Sequence, residues 1–233
     1  MLNSVSDSVA GVVLAGGLSR RMGGGDKTLL SVAGAPMLSR VIDRLKPQVG
    51  SLVLNANGDP ARFAAYGLTV VADPIEGFAG PLAGVLAGLR WASSFALAQD
   101  PGAKPASTFA DPAPVKLHPR YIVSVAGDTP FFPRDLVSRL LEAADGKDRI
   151  VLASSNGRAH PVIGLWPVSL ADDLDAFLTA GETRKVLVWV DRHDNTTVDF
   201  PMLETGTEPL DPFFNINTPE EISVAEQLAV AGV

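Results

Sequence analysis

The feature that most constrains the fold is an alternation. Short apolar runs recur along the chain: "GVVLA" (11–15), "SLVLNA" (51–56), "LTVVAD" (68–73), "YIVSVAGD" (121–128) and "RIVLAS" from residue 149. Each has the length and apolarity of a strand buried on both faces. Segments of helical period lie between them. In "PMLSRVIDRLK" (36–46), Met37, Leu38, Val41, Ile42 and Leu45 fall on one helical face, and Pro36 suits the first helical position. "GPLAGVLAGLRWA" and "RDLVSRLLEAA" follow the same logic. Strands alternating with helices predict an α/β fold, a mostly parallel sheet with helices on both faces. In such sheets ligands bind beyond the carboxyl ends of the strands.

At 233 residues, with 46% hydrophobic residues, the chain has material for a sizeable core. No linker divides it, so one domain over residues 1–233 is expected. Residues 98–119, "AQDPGAKPASTFADPAPVKLHP", are rich in Pro, Ala and Asp without a period and read as a surface excursion. The net charge of −7 argues against a general nucleic-acid binder. Any polyanion bound should be small and held locally. Cysteine is absent, which removes disulfides, thiolate metal sites and a cysteine nucleophile, and is compatible with a reducing cytoplasm. "MLNSVSDSVAG" has no basic region before an apolar run, so no signal peptide is expected. The apolar stretch 78–98 is interrupted by Arg90, Gly and Ser and reads as a buried helix, not a membrane span.

The residues after the strands carry the chemistry. The first strand runs into "LAGGLSRRMGGGDK", where glycines let successive N–H groups turn toward one anion and Arg20, Arg21 and Lys27 add charge. A flexible loop with solvated charges is the plainer alternative. The pattern is not G-x-x-x-x-G-K-[ST], because Asp26 precedes the lysine, and no G-x-G-x-x-G stands in the turn. Asn55, Asp73 and Asp128 end the next three strands and would converge on one crevice of a parallel sheet. Asx residues are also ordinary at strand ends. Asp128, opposite a cationic glycine loop, is placed to partner a phosphate-bound Mg2+.

Near the C-terminus, Thr218, Pro219 and Glu221 form a capping box, which accounts for them structurally. Asn215 and Asn217 lie two apart in an extended segment and so share a face, with Ile216 opposite. Two amides there either read a planar heterocycle or fix a loop, and on the residues alone the loop is preferred. His118, His160 and His193 lack metal-ligand spacing, and His160, at the start of "HPVIGLW", reads as structural.

Together these residues resemble the molybdenum cofactor guanylyltransferases of the nucleoside-triphosphate transferase superfamily. The resemblance rests on "LAGGLSRRMGGGDK", "NAN", "ADP" before "GPLAG", "GDTP", "HPVIGLW", "AGETRKV" and "NINTPEE", in order from about residue 9 to about 228. Gly25 and the long excursion depart from the family pattern without removing a charged group. The resemblance implies a Rossmann-like nucleotidyltransferase fold. It also implies that GMP passes from GTP to molybdenum-bound molybdopterin, giving the guanine dinucleotide cofactor and pyrophosphate. Mg2+ would be held by Asp128. The backbone of Leu14, Ala15, Gly16 and Gly17 would contact the nucleotide, and Lys27, with Arg21, its phosphates. Asn55 and Asp73 would lie in the GTP site, and Asn215 and Asn217 would face molybdopterin.

Further expectations follow from that resemblance. The Asp73 carboxylate would accept from guanine N1–H and N2–H2, or else hold the ribose. Asn215 and Asn217 would affect molybdopterin affinity and leave GTP affinity nearly alone, whereas loop bracing would damage both. Implied partners are the two substrates, with transient contact to molybdenum cofactor enzymes or their chaperones, and neither nucleic acid nor membrane. A cytoplasmic location is implied. The rival readings are a sister enzyme using CTP or a sugar phosphate, and a non-catalytic nucleotide-binding adaptor.

Overall fold

A computed structural model describes residues 8–16, 26–75, 80–97, 119–181, 183–205 and 208–230. β1 (Val9–Leu14) is followed by a small hairpin, β2 (Ser31–Val32) and β3 (Ala35–Pro36), and by α1 (Met37–Leu45). Next come β4 (Ser51–Asn55), β5 (Thr69–Val71), α2 (Pro81–Leu97), β6 (Tyr121–Ala126) and α3 (Leu136–Ala144). The second half adds β7 (Ile150–Ser155), β8 (Arg158–Pro167), α4 (Ala171–Ala180), α5 (Val186–Val190), β9 (Asn195–Phe200) and α6 (Pro219–Val230). The excursion lies outside the described residues except for Pro119, which is buried.

Among the described residues the main sheet has seven strands in the order β5-β4-β1-β6-β8-β7-β9. β1 pairs in parallel with β4 and β6, β4 with β5, and β7 with β9. β8 alone is reversed, running antiparallel to both β6 and β7. The sheet is therefore mostly parallel, as the alternation predicts. One consequence matters for the site. The start of β8, with Arg158 opposite Ser155, lies at the carboxyl edge of the other strands.

The period of two assigns each strand residue to a layer. Val9 and Val13 of β1 join Val123 and Val125 of β6 in the core under α1 and α3. Ala10, Val12 and Ile122 face the other way, onto Leu82, Val85, Leu86 and Leu89 of α2. Those four helix positions repeat at the spacing of one apolar stripe. Met37, Leu38, Val41, Ile42 and Leu45 of α1 are all buried, as expected from their single face. A third cluster joins α6 to the hairpin through Val32, Met37, Phe131, Ile216, Ala225 and Leu228. Among the described residues no helix is long and apolar enough to cross a membrane.

Pro36 differs from its expected place. It precedes α1 with ψ at 142°, extended, and pairs with Ser31 in the hairpin. The Met37 amide donates outside the helix, to Leu30 O at 2.9 Å. Hairpin pairing thus takes the residue that periodicity alone would place in the first turn.

Candidate active site

The carboxyl ends of β5, β4, β1 and β6 meet in one edge, held by main-chain bonds that continue past the strands. Ala15 N–H donates to Asn55 O at 2.8 Å, Ala56 N–H to Val71 O at 3.0 Å, and Gly127 N–H to Leu14 O at 3.0 Å. Gly127 is needed for close approach: a Cβ there would lie 2.9 Å from Thr28 Cγ2 and 3.3 Å from Leu14 O. Leu14, Ala15 and Gly16 therefore reach the edge as expected. Gly17, Arg20, Arg21 and Gly25 lie outside the described residues.

Lys27 stands at the centre. Its ammonium donates to Asp128 Oδ2 at 2.5 Å and to Asn217 Oδ1 at 2.6 Å. The lysine and aspartate side chains are 11% and 21% exposed, so the pair is only partly screened. Three distant segments, the glycine loop, the end of β6 and the entry to α6, thus converge on one cation. The turn after Asp128 is anchored from behind. Arg44 donates to Phe132 O at 3.0 Å. Burial, with repulsion from Arg134 and Arg40, lowers the Arg44 guanidinium to about 10.

Asn55 and Asp73 also meet. Buried Asn55 donates through Nδ2 to Asp73 Oδ1 at 2.9 Å and to Val71 O at 3.2 Å. Asn57, which the sequence does not single out, completes the arrangement. Its Nδ2 donates to Asp73 Oδ2 at 2.7 Å, and its Oδ1 accepts from Asp73 N–H at 2.9 Å. Each Asp73 oxygen already has a protein partner. Two amides thus satisfy the carboxylate in advance, one on each oxygen. Gly84 closes the floor of this corner. A Cβ at that position would fall 2.3 Å from Asn55 Oδ1 and 2.7 Å from Leu14 Cδ2.

Asn215 and Asn217 are exposed and Ile216 is fully buried, as alternation predicts. Asn215 Oδ1 accepts from Thr129 Oγ1 at 2.5 Å, and Ile216 N–H donates to Asp128 O at 3.1 Å. The capping box forms: Thr218 N–H donates to Glu221 Oε2 at 2.9 Å, and Glu221 N–H to Thr218 Oγ1 at 3.3 Å. Asn217, expected to act on molybdopterin and leave GTP nearly alone, bonds the lysine that the resemblance assigns to the triphosphate.

Two further contacts escaped sequence reading because they join distant segments. Arg62 pairs through Nε with Asp26 Oδ2 at 3.1 Å and donates to Asn57 O, tying the residue before Lys27 to the Asn57 turn. Ser155, His160 and Asp211 form a polar cluster farther along the edge.

Among the described residues, no group of three or more His, Cys, Asp or Glu side chains could hold a metal ion. Asp128 offers one carboxylate. Mg2+ commonly binds through one or two carboxylates and completes its shell with substrate phosphates and water. The donor set thus fits a cation brought in with a nucleotide.

The model of the MobA-like NTP transferase domain matches residues 11–196. The chain is 50% identical over 230 residues to the molybdenum cofactor guanylyltransferase of Bradyrhizobium sp. (strain ORS 278), covering 98% of this chain and 97% of that protein. It is 46% identical over 215 residues to the protein of that name from Rhizobium meliloti (strain 1021), covering 92% and 89%. Among solved structures, molybdopterin-guanine dinucleotide biosynthesis protein A from Archaeoglobus fulgidus superposes with a TM-score of 0.66 at 22% identity, covering 95% and 99%. The 4-diphosphocytidyl-2C-methyl-D-erythritol synthase of Anaerococcus prevotii superposes at 0.65 with 10% identity, covering 95% and 98%, a likeness of fold. By sequence over nearly its whole length, the chain belongs to the molybdenum cofactor guanylyltransferase family of nucleotidyltransferases.

Proposed function

We propose that this chain transfers GMP from GTP to molybdenum-bound molybdopterin, forming the guanine dinucleotide cofactor and releasing pyrophosphate. One observation carries the reading beyond family membership. Lys27, Asp128 and Asn217 converge at the carboxyl edge of the sheet, between the Asn55–Asp73 corner and the entry to α6. A terminal phosphate of molybdopterin attacks the α-phosphorus of GTP, and the α–β bridging oxygen leaves with pyrophosphate. A phosphate monoester is already an anionic nucleophile, so the protein needs little acid–base chemistry. Its main tasks are orientation and stabilisation of negative charge.

The residues divide those tasks as follows. Lys27 exchanges its bond to Asp128 for the triphosphate and stabilises charge on the transferring group. Arg21 assists it. The backbone of Leu14, Ala15, Gly16 and Gly17 lines the nucleotide, and Asn55 and Asp73, braced by Asn57, hold its base or ribose. Asp128 holds Mg2+, which when bound neutralises charge on the phosphates. Asn215 and Asn217 face molybdopterin, with Asn217 also steadying Lys27. The whole chain acts as one nucleotidyltransferase domain, since strands from both halves share one sheet. We place it in the cytoplasm, with transient contact to molybdenum cofactor enzymes or their chaperones. The test is pyrophosphate release from GTP by the purified chain with Mg2+. Release should require molybdenum-bound molybdopterin and fall about 100-fold or more in Lys27→Ala. Release independent of molybdopterin, or an unaffected Lys27→Ala, would contradict the reading.

A further inference from the structure

The second half of the sheet edge carries a polar cluster that the transfer chemistry does not touch. Ser155 ends β7 and is 1% exposed; His160 lies near the start of β8. Ser155 Oγ donates to Asp211 Oδ1 at 2.8 Å and lies 2.6 Å from His160 Nε2. The serine has one proton, and Asp211 takes it. His160 must therefore donate from Nε2, which fixes its tautomer. Asp211 Oδ1 also accepts from Phe213 N–H at 2.8 Å, closing an Asx turn. The Phe213 ring then packs between His160, at 4.7 Å, and Phe200, at 5.3 Å.

The segment that begins at this anchor ends at the transfer centre. After Phe213 come Asn215 on Thr129, Ile216 N–H on Asp128 O, and Asn217 on Lys27. The stretch 211–217 is thus held at one end by Ser155 and His160 and at the other by the residues around Lys27. Its course between those ends is set by the Asx turn and the buried Phe213 and Ile216. We propose that Asp211, fixed by Ser155 and His160, is a positioning residue for transfer: it sets the placement of Asn217 and, through it, of Lys27. The inference rests on the reading of Lys27 as a transfer residue. Asp211 Oδ1 takes both bonds while Oδ2 lies 3.4 Å from His160 Nε2, so what Asp211 chiefly contributes is an acceptor at a fixed point. An amide oxygen supplies the same acceptor.

The experiment is steady-state transfer by the full chain with GTP and molybdenum-bound molybdopterin, alongside thermal melts, for Asp211→Ala, Asp211→Asn, Ser155→Ala, Asn217→Ala and the double variant Asp211→Ala/Asn217→Ala. Asp211→Ala should lower kcat by about tenfold or more with the KM for GTP within about threefold, and the double variant should be no worse than Asn217→Ala alone. Asp211→Asn should restore kcat to within about threefold of the unaltered chain. Should Asp211→Ala fail to fold, Ser155→Ala carries the same test, with the same kcat-selective loss expected. A lowered melting point with unchanged kcat, losses that add in the double variant, or an Asp211→Asn chain as impaired as Asp211→Ala would overturn the inference. If the unaltered chain shows no molybdopterin-dependent transfer, the functional reading falls and this inference with it.

Discussion

Lys27 Nζ lies 2.5 Å from Asp128 Oδ2, although 101 residues separate the two in sequence. β1 and β6 are neighbours in the sheet; Asp128 closely follows β6, whereas Lys27 opens the short helical turn before the β2–β3 hairpin. The bond neutralises both side chains where water is partly excluded. On the proposed reading, a nucleotide entering with its cation meets this lysine and carboxylate already aligned, and each exchanges the other for its ligand.

Asp128→Asn follows from that exchange. The amide keeps the shape and an acceptor for Lys27 but loses the charge a hard cation needs. The expected outcome is an Mg2+ requirement raised by about tenfold or more, with a melting point near that of the unaltered chain. Titrating Mg2+ in the transfer assay, beside a thermal melt, checks it. An unchanged requirement would place the metal ligand elsewhere.

Gly84→Ala sets two effects against each other. In a helix interior the change normally gains about 1 kcal/mol. Here the new Cβ would lie 2.3 Å from Asn55 Oδ1, and Asn55 is buried and bonded to Asp73 and Val71. Overpacking of that kind costs about 1–3 kcal/mol, so net destabilisation is expected. The KM for GTP should rise as well, because Asn55 must move. A stabilised variant with normal KM would show that α2 can retreat from the sheet.

The apolar face of α1 and the placement of Asn55, Asp73 and Asp128 at strand ends along one edge were legible because both follow from rules of period and topology. β8 was not read as a strand. Pro161 interrupts it, and its pairing with β7 shifts register between Leu152 and Ala153. β9 alternates only weakly, with its residues mostly exposed or half-buried before Phe200. In the site, no local pattern marks Asn57, because its acceptor, Asp73, arrives only after the next strand. The bond between Ser155 and Asp211 spans 56 residues, and no local pattern marks it. Paired asparagines at 215 and 217 were visible, but their attachment to Lys27 depends on how α6 docks.

His160 gives acid stability a defined sign. Burial pushes its imidazole below the usual 6.5, with Asp211 opposing and Arg158 reinforcing the shift. The unfolded chain therefore takes up the proton more readily than the folded one. This residue's contribution is fully present above 6.5 and is lost as pH falls below it toward the lowered folded value. His160→Gln, which keeps a donor for Ser155, should flatten the decline in melting temperature between about pH 7.5 and pH 5.5 relative to the unaltered chain. Parallel declines in the two proteins would show that His160 is not the group responsible.

Base choice separates guanylyl transfer from the same chemistry with another nucleotide. The purified chain, with Mg2+ and molybdenum-bound molybdopterin, should be assayed for pyrophosphate release and dinucleotide formation with GTP, CTP and ATP in turn. The kcat/KM for GTP should exceed both others by at least about tenfold, equivalent to about 1.4 kcal/mol of discrimination, with a guanine dinucleotide as the product. Equal values for the three nucleotides, or a preference for CTP, would contradict guanylyl transfer.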